Sequence, residues 1–488
     1  MKLSPAADRF AVARRVFFAS LAFAWTLHAA DAPKQLRAGA AASNITPPLG
    51  AGIVGSGTSS LASVHIHDEL FARCLVLDNG PAPAGRLAIV VCDNLHATRP
   101  VYDLAKEFIV KETGLPADHV LISATHTHSG PSAMGAYGFT WGAPLDDYQK
   151  FMARRIADGV RRALNNLEPA RIGWGAGSVP QHVFNRRWHM QPGTPLPNPV
   201  GGTDRVLMNP GVHNPKLLEP AGPVDPQVSF VSVQATNGRP IALLGNYSLH
   251  YVGGVGAFHI SADYFGMFCD RIQQLLGADR QDPPFVGMMS NGTSGDVNNV
   301  DVRGPSVRRV PYEQMRNVAN DVAVEVIRVH KTIQHQDWVP LAAAMTELPL
   351  AVRKPTPAML ERARVVLAAP DKVKLVHRRE VDYAGRLVAL KDWPEKVSVP
   401  LQVLRIGELG IATTPFETFA ETGLEIKARS PFKSTFTIEL ANGWMSYLAT
   451  PRQHEQGGYE TWHGTGLVEN GASVKMVNAL MELFERTK

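Results

Sequence analysis

Two histidines spaced two apart, His126 and His128, follow the apolar run Leu121-Ile122-Ser123-Ala124 and precede the turn marker Gly130-Pro131. Residues i and i+2 of a strand share a face, so both imidazoles can look into one cleft. One can bind a metal through a neutral ring nitrogen while the other carries a proton near neutral pH. A His-x-His pair alone fits hydrogen-bonded structural histidines equally well, so its partners must come from elsewhere in the chain. His65 and His67 form a second such pair, and Asp93, His259 and Asp263 are further candidates.

The segments around His126 and His128 alternate in type. Arg86 to Cys92 is a continuous apolar run, expected as a buried strand. Val101 to Thr113 carries an apolar stripe and is stopped by Gly114 and Pro116, which predicts a helix. His119 to Ala124 is the next expected strand. This order suggests a parallel crossover in an α/β fold, placing the histidines just past a strand's carboxyl end, where open sheets bind ligands. Further helices are expected over 148–164, 265–276, 312–329, 357–368, 417–427 and 474–485, and strands over 227–234, 240–247, 399–406, 410–414 and 435–440. Thr356 before Pro357 is a cap followed by a first-turn proline. The stretch 181–226, rich in Pro, Gly and Asn, is expected as a long loop of functional or disordered type.

The 488 residues, 45% hydrophobic and 19% charged, describe a folded chain rather than a disordered or fibrous one. Arg9, Arg14 and Arg15 precede the apolar run from Val16 to Leu27, and Ala30-Asp31-Ala32 offers a cleavage site. Residues 1–32 are therefore expected as a signal peptide and the protein as exported, periplasmic or secreted. Arg14-Arg15-Val16-Phe17-Phe18 loosely resembles a twin-arginine signal. The apolar run is short for a membrane span, and the mature chain shows no other candidate. Part of the net charge of +5 belongs to this leader, and no basic cluster points to nucleic acid. A fringe of positive charge allows peripheral contact with an anionic membrane surface. Three cysteines, Cys74, Cys92 and Cys269, are too few for a disulfide framework.

Segments scattered from about residue 38 to the end resemble the neutral ceramidase family, zinc amidases that split an N-acyl bond. The strongest are Ser123 to Pro131 and Val399-Pro400-Leu401-Gln402-Val403-Leu404-Arg405-Ile406-Gly407; Gly423 to Lys427 with Arg429 to Lys433 is weaker. The resemblance implies an α/β fold with a large mixed β-sheet core flanked by helices, and one catalytic domain over 33–488. It implies a Zn2+ site held by His126, His250, Glu417 and Tyr447. It also gives His128 the role of proton carrier and makes Tyr459, in Gly458-Tyr459-Glu460, and Arg186, in Asn185-Arg186-Arg187, donors to a developing oxyanion. The implied substrate is a small molecule or lipid. The family's serine motif is matched by Gly295-Asp296-Val297-Asn298-Asn299, so Asn298 stands where a hydroxyl is expected, with Ser294 and Thr293 as nearby hydroxyls. After the Tyr459 motif, no room is left for the family's C-terminal immunoglobulin-like domain. Ceramide is thus one candidate among amides; the alternatives are an ester or carbohydrate derivative, or a ligand-binding protein on the same scaffold.

Overall fold

The expected crossover is present: strands Arg86–Cys92 and Val120–Ala124 run parallel, with Cys92 opposite Ala124, and helix Arg99–Thr113 joins them. The helix ends where Gly114, at φ 71°, takes the left-handed conformation that glycine adopts most readily. The computed structural model describes residues 34–53, 61–80, 85–133, 141–305 and 310–488; the expected leader, 1–32, lies outside the described residues.

The two strands form one edge of an eight-stranded sheet. Its order runs Val286–Asn291, Pro240–Tyr247, Gln227–Ala235, Glu168–Ser178, Arg37–Asn44, Phe71–Asp78, Arg86–Cys92, Val120–Ala124. Both edge pairs are parallel and every pair between them is antiparallel, so the sheet is mixed. The sheet curls: strand Val286–Asn291 at one edge lies against Phe71–Asp78, Arg86–Cys92 and Val120–Ala124 towards the other. That curl brings the chain beyond Ala124 to the chain beyond Tyr247.

A second sheet of four strands, Leu341–Ala351, Lys396–Ile406, Leu409–Thr413 and Ser434–Ile438, shares its apolar face with the first. Leu75, Leu121, Val231 and Met288 from the large sheet meet Leu404, Ile411 and Phe436 from the small one in a single buried core. Helices cover the remaining faces. Arg99–Thr113 and Asp147–Asn165 bury Ile109, Met152 and Ile156 on one half; Asp263–Leu275 and Glu313–His330 bury Phe268, Ile272 and Val322 on the other.

Most expected elements are found within a few residues, and helix Pro357–Ala368 begins on the expected cap, with Thr356 accepting from Met359 N. Two expectations need correction. Glu417–Thr418 is a short strand paired parallel with Tyr447–Leu448, and the helix starts later, at Ala420–Arg429. The 181–226 stretch is built around a small sheet of Val206–Met208, Arg187–Met190 and Leu217–Pro220 rather than an open loop. A further helix, Glu380–Lys391, packs on Pro357–Ala368 within the connection between the antiparallel neighbours Leu341–Ala351 and Lys396–Ile406. The described residues from Lys34 to Lys488 form one compact unit. All three cysteines are buried and free.

Candidate metal centre

The turn that carries His126 is tied to the preceding crossover: Thr125 N donates to Cys92 O at 2.9 Å and His126 N to Asn94 O at 3.0 Å. His126 has φ 75°, a left-handed conformation that costs a non-glycine residue on the order of 1–2 kcal/mol. These hydrogen bonds hold it there. The His126 ring is buried, and its Nδ1 meets Leu95 O at 2.9 Å. His250, also buried, lies beyond the end of Pro240–Tyr247, with Nδ1 meeting Ser294 O at 3.1 Å. A ring nitrogen facing a carbonyl carries the proton, so each histidine keeps its Nε2 as a lone pair.

Those two Nε2 atoms are 2.9 Å apart. With no proton between them the lone pairs repel, whereas a shared cation makes the same geometry attractive. His128 joins them, its Nε2 3.3 Å from His126 Nε2 and its ring stacked on Tyr251 at 3.7 Å. The ligand atoms of the three histidines all lie within 4.8 Å of one another.

The carboxylate arrives from far along the chain. Pairing of Glu417–Thr418 with Tyr447–Leu448 sets Glu417, which reaches the histidines, opposite Tyr447. Glu417 Oε2 is 3.4 Å from His126 Nε2 and 3.8 Å from His250 Nε2; Oε1 accepts from Trp444 Nε1 at 3.1 Å. Burial acts to raise the Glu417 carboxyl, but His126, with help from Tyr447 and His96, outweighs it and holds it at about 2. Burial and His126 push the His250 imidazole well below its ordinary range. Burial and the Glu417 charge keep the Tyr447 phenol protonated far above its usual range.

These residues fit a zinc ion. Oε2 of Glu417 accepts no hydrogen bond among the described residues although it is buried, an orphan acceptor beside two lone-pair nitrogens. Imidazole nitrogens and carboxylate oxygens are zinc donors, and tetrahedral ligands ~2.0–2.1 Å from zinc stand about 3.3 Å from one another. The separations of 2.9, 3.4 and 3.8 Å among His126, His250 and Glu417 bracket that value.

Arg186 flanks the group, its Nη1 3.5 Å from His250 Nε2 and its guanidinium 5.4 Å over the Tyr447 ring. Its Nε donates to Glu460 Oε1 at 3.0 Å, while the fully buried Arg187 donates to Glu460 Oε2 at 2.6 Å. Glu460 thereby fixes its neighbour Tyr459, whose ring lies 5.7 Å from that of Tyr447. Arg186 Nη2 is buried without a hydrogen-bond partner among the described residues. Six of the eight expected residues, His126, His128, His250, Glu417, Tyr447 and Arg186, are thus in one cluster, with Tyr459 packed against it.

Asn298 is engaged elsewhere: its Nδ2 donates to Asn209 Oδ1 at 2.7 Å and its Oδ1 accepts from Val300 N at 2.9 Å. Ser294 lies behind His250, its Oγ donating to Glu439 Oε1 at 2.7 Å. Asp93 is bound by Phe71 N and Arg73, Asp263 by Val252 N and Gly253 N, and His259 by Tyr312. Trp444, Glu439 and Glu460 belong to the site and were not anticipated. The available signal was two acids, Glu439 and Glu460, each among apolar or aromatic neighbours.

The sequence profile of the family described as neutral/alkaline non-lysosomal ceramidase, N-terminal, matches residues 36–318. Neutral ceramidase from Pseudomonas aeruginosa is 23% identical over 216 residues, 43% of this chain and 29% of that protein. Neutral ceramidase A from Dictyostelium discoideum is 25% identical over 199 residues, 39% of this chain and 25% of that protein. The matched part spans under a third of either relative. A crystal structure of the Pseudomonas aeruginosa neutral ceramidase shares the fold with a TM-score of 0.66 at 17% identity, over 92% of this chain and 74% of that one. A ceramidase complexed with C2 gives a TM-score of 0.68, also at 17% identity, over 92% and 75%. Glu417, Tyr447 and Tyr459 lie beyond the profile match.

Proposed function

Since the chain belongs to the neutral/alkaline non-lysosomal ceramidase family, we propose that it is a zinc-dependent hydrolase that cleaves an N-acyl amide bond, with zinc held by His126, His250, Glu417 and Tyr447. The observation that carries this reading is the convergence of two histidine lone pairs with the orphan Glu417 Oε2. Zinc bound there supplies Lewis acidity, lowering the pKa of a water and polarising the scissile carbonyl. His128 takes the proton from the attacking water at Nε2 and returns it to the departing nitrogen. Arg186 offers its unpartnered Nη2 to the developing oxyanion, and the Tyr459 hydroxyl adds a second donor. Glu460, by clamping Arg186 and Arg187, keeps those donors oriented before substrate arrives.

Export is part of the proposal, supported by the basic and apolar run ahead of Ala32; N-terminal sequencing of the mature protein tests it. No helix among the described residues is long and apolar enough to cross a membrane, and a lipid substrate would be met at a membrane surface or in solution.

Metal analysis decides the central claim. The purified protein is expected to hold about one zinc per chain, and His126→Ala to lose the metal together with amide hydrolysis. His128→Gln is expected to keep the metal and lose ~10²–10⁴-fold in rate. Zinc lost in the His128 variant would move that residue into the ligand set, and no zinc in the wild type would sink the mechanism.

A further inference from the structure

The wall beyond Tyr459 is basic. Helix Glu380–Lys391, in the connection between two neighbouring strands of the small sheet, delivers Arg379 at its start and Arg386 in its second turn. The Arg379 guanidinium lies 5.3 Å over the Tyr459 ring and has neither a side-chain hydrogen bond nor an ion pair among the described residues. Arg386 lies 4.9 Å over Tyr383, and among the described residues its one side-chain hydrogen bond goes to Gly464 O at 3.2 Å. Tyr383, Tyr459 and Trp462 pack edge to face between the two, with ring centroids 5.2 Å and 5.7 Å apart.

Asp382, one turn from both arginines on the same helix, pairs with neither among the described residues, and the buried acids nearby are occupied. Glu460 is taken by Arg186 and Arg187, Glu380 by Arg362 and Val376 N, and Asp204 by Trp462 Nε1 and Asn198. Two half-buried guanidiniums, Arg379 over Tyr459 and Arg386 over Tyr383, therefore stand without an ion pair among the described residues. An uncompensated charge in a partly desolvated wall is unfavourable until an anion meets it. An anion gains more from such a wall than an alkyl chain does, which favours the amine half of the substrate at this end and the acyl tail leaving by another side.

We infer that the amide cleaved here carries an anionic group, a carboxylate, sulfonate or phosphate, on its amine portion, and that Arg379 and Arg386 bind that group. The inference rests on the amide-hydrolase reading and adds the substrate class. It gives the inserted helix a purpose, since the helix sets Arg379 over Tyr459, whose ring lies 5.7 Å from that of Tyr447. It also separates this chain from hydrolases of neutral ceramides, whose amine half has no charge.

The test uses the zinc-loaded full chain with three amides of one acyl chain: N-lauroylglycine, N-lauroyltaurine and the neutral N-lauroylethanolamine. The two anionic amides are expected to have kcat/KM at least about tenfold above the neutral one, as for charge-assisted hydrogen bonds in a partly buried site. The difference is expected in KM and to shrink with added salt. In Arg379→Ala and in Arg386→Ala the anionic-to-neutral ratio is expected to fall about tenfold, with partial recovery in Arg379→Lys, which a purely structural role of the arginine would not produce. A ratio near one in the wild type, or a ratio unchanged in both alanine variants, overturns the inference. If the neutral amide is cleaved without any preference, the anion site is wrong and amide hydrolysis stands. If none of the three is cleaved, the hydrolase reading fails, and equilibrium binding of the same compounds decides the anion site: tighter binding of the anionic pair, lost in the alanine variants, supports it, and equal binding overturns it.

Discussion

Glu439 sits fully buried just past strand Ser434–Ile438 and ties the Ser294 backbone that supports His250 to the short strand that bears Glu417. Oε1 accepts from Ser294 Oγ at 2.7 Å, and Oε2 accepts from Thr418 N at 2.7 Å and Ser294 N at 3.3 Å. Ser294 is the residue whose carbonyl receives His250 Nδ1, and Thr418 follows Glu417. One carboxyl group therefore sets the tautomer support of the histidine and the backbone next to the acid. Burial pushes this carboxyl well above its ordinary range, with Ser294 pulling the other way. Glu439→Ala would leave three buried donors unpaired at about 1–3 kcal/mol each and loosen support for both ligands. We expect it to unfold at lower urea and to bind zinc ~10–100-fold more weakly, measured by denaturation and by competition with a chelator. Unchanged zinc affinity in a folded Glu439→Gln would limit the residue to a structural role.

At the level of elements, the short pair Glu417–Thr418 and Tyr447–Leu448 depends on how closely the 291–296 loop can approach. Gly295 N donates to Thr418 O at 2.8 Å, and a Cβ at Gly295 would stand 2.4 Å from Glu417 O and 2.7 Å from its carbonyl carbon. Backbone atoms cannot swing aside as a side-chain tip can. Gly295→Ala is therefore expected to cost ~1–3 kcal/mol and to push Glu417 off the histidines, read as zinc loss at a metal concentration that saturates the wild type. The same pair shows why part of the site was hidden in the sequence. His126 and His128 were legible because an apolar strand, a helix and a second apolar strand lead straight to them. Glu417 was identified through family resemblance, yet its local pattern ran into the helix Ala420–Arg429 and was read as that helix's start. What fixes Glu417 as strand is a partner 30 residues on, Tyr447, and no local periodicity encodes a parallel pairing at that range. The helix at Glu380–Lys391 escaped notice for a related reason, since its buried Leu387 packs on the neighbouring helix rather than on a sheet that the sequence announces.

Across the whole molecule, the metal group exists only while the large sheet stays curled, because His126 and His250 leave strands near opposite edges of that sheet. The curl is filled by one core drawn from distant parts of the chain, with Leu36, Leu121, Val231, Ile411 and Ala441 all buried in it. Opening any one wall exposes the faces of the others, so the chain from Lys34 to Lys488 is expected to unfold as a single domain, in one calorimetric transition. Zinc would act on that same transition: it joins residues from both ends of the curl and has no preformed site in the unfolded chain. Metal at ~100 times its dissociation constant stabilises the native state by about 2.7 kcal/mol. For a chain of this size that is a rise of roughly 3–5 °C, at about 1–2 °C per kcal/mol, scaling down from the 2–4 °C per kcal/mol typical of 150–250 residues because the unfolding entropy grows with length and the shift at the midpoint shrinks in proportion. Scanning calorimetry of apo and zinc-loaded protein is expected to show one peak that moves up with zinc and returns with chelator, and His126→Ala is expected to show the apo peak whatever the zinc concentration. Two separated peaks, with zinc moving one of them, would mean that the helical connection and small sheet unfold apart from the curled sheet, and that the residues from Glu417 onward meet the histidines across a domain boundary.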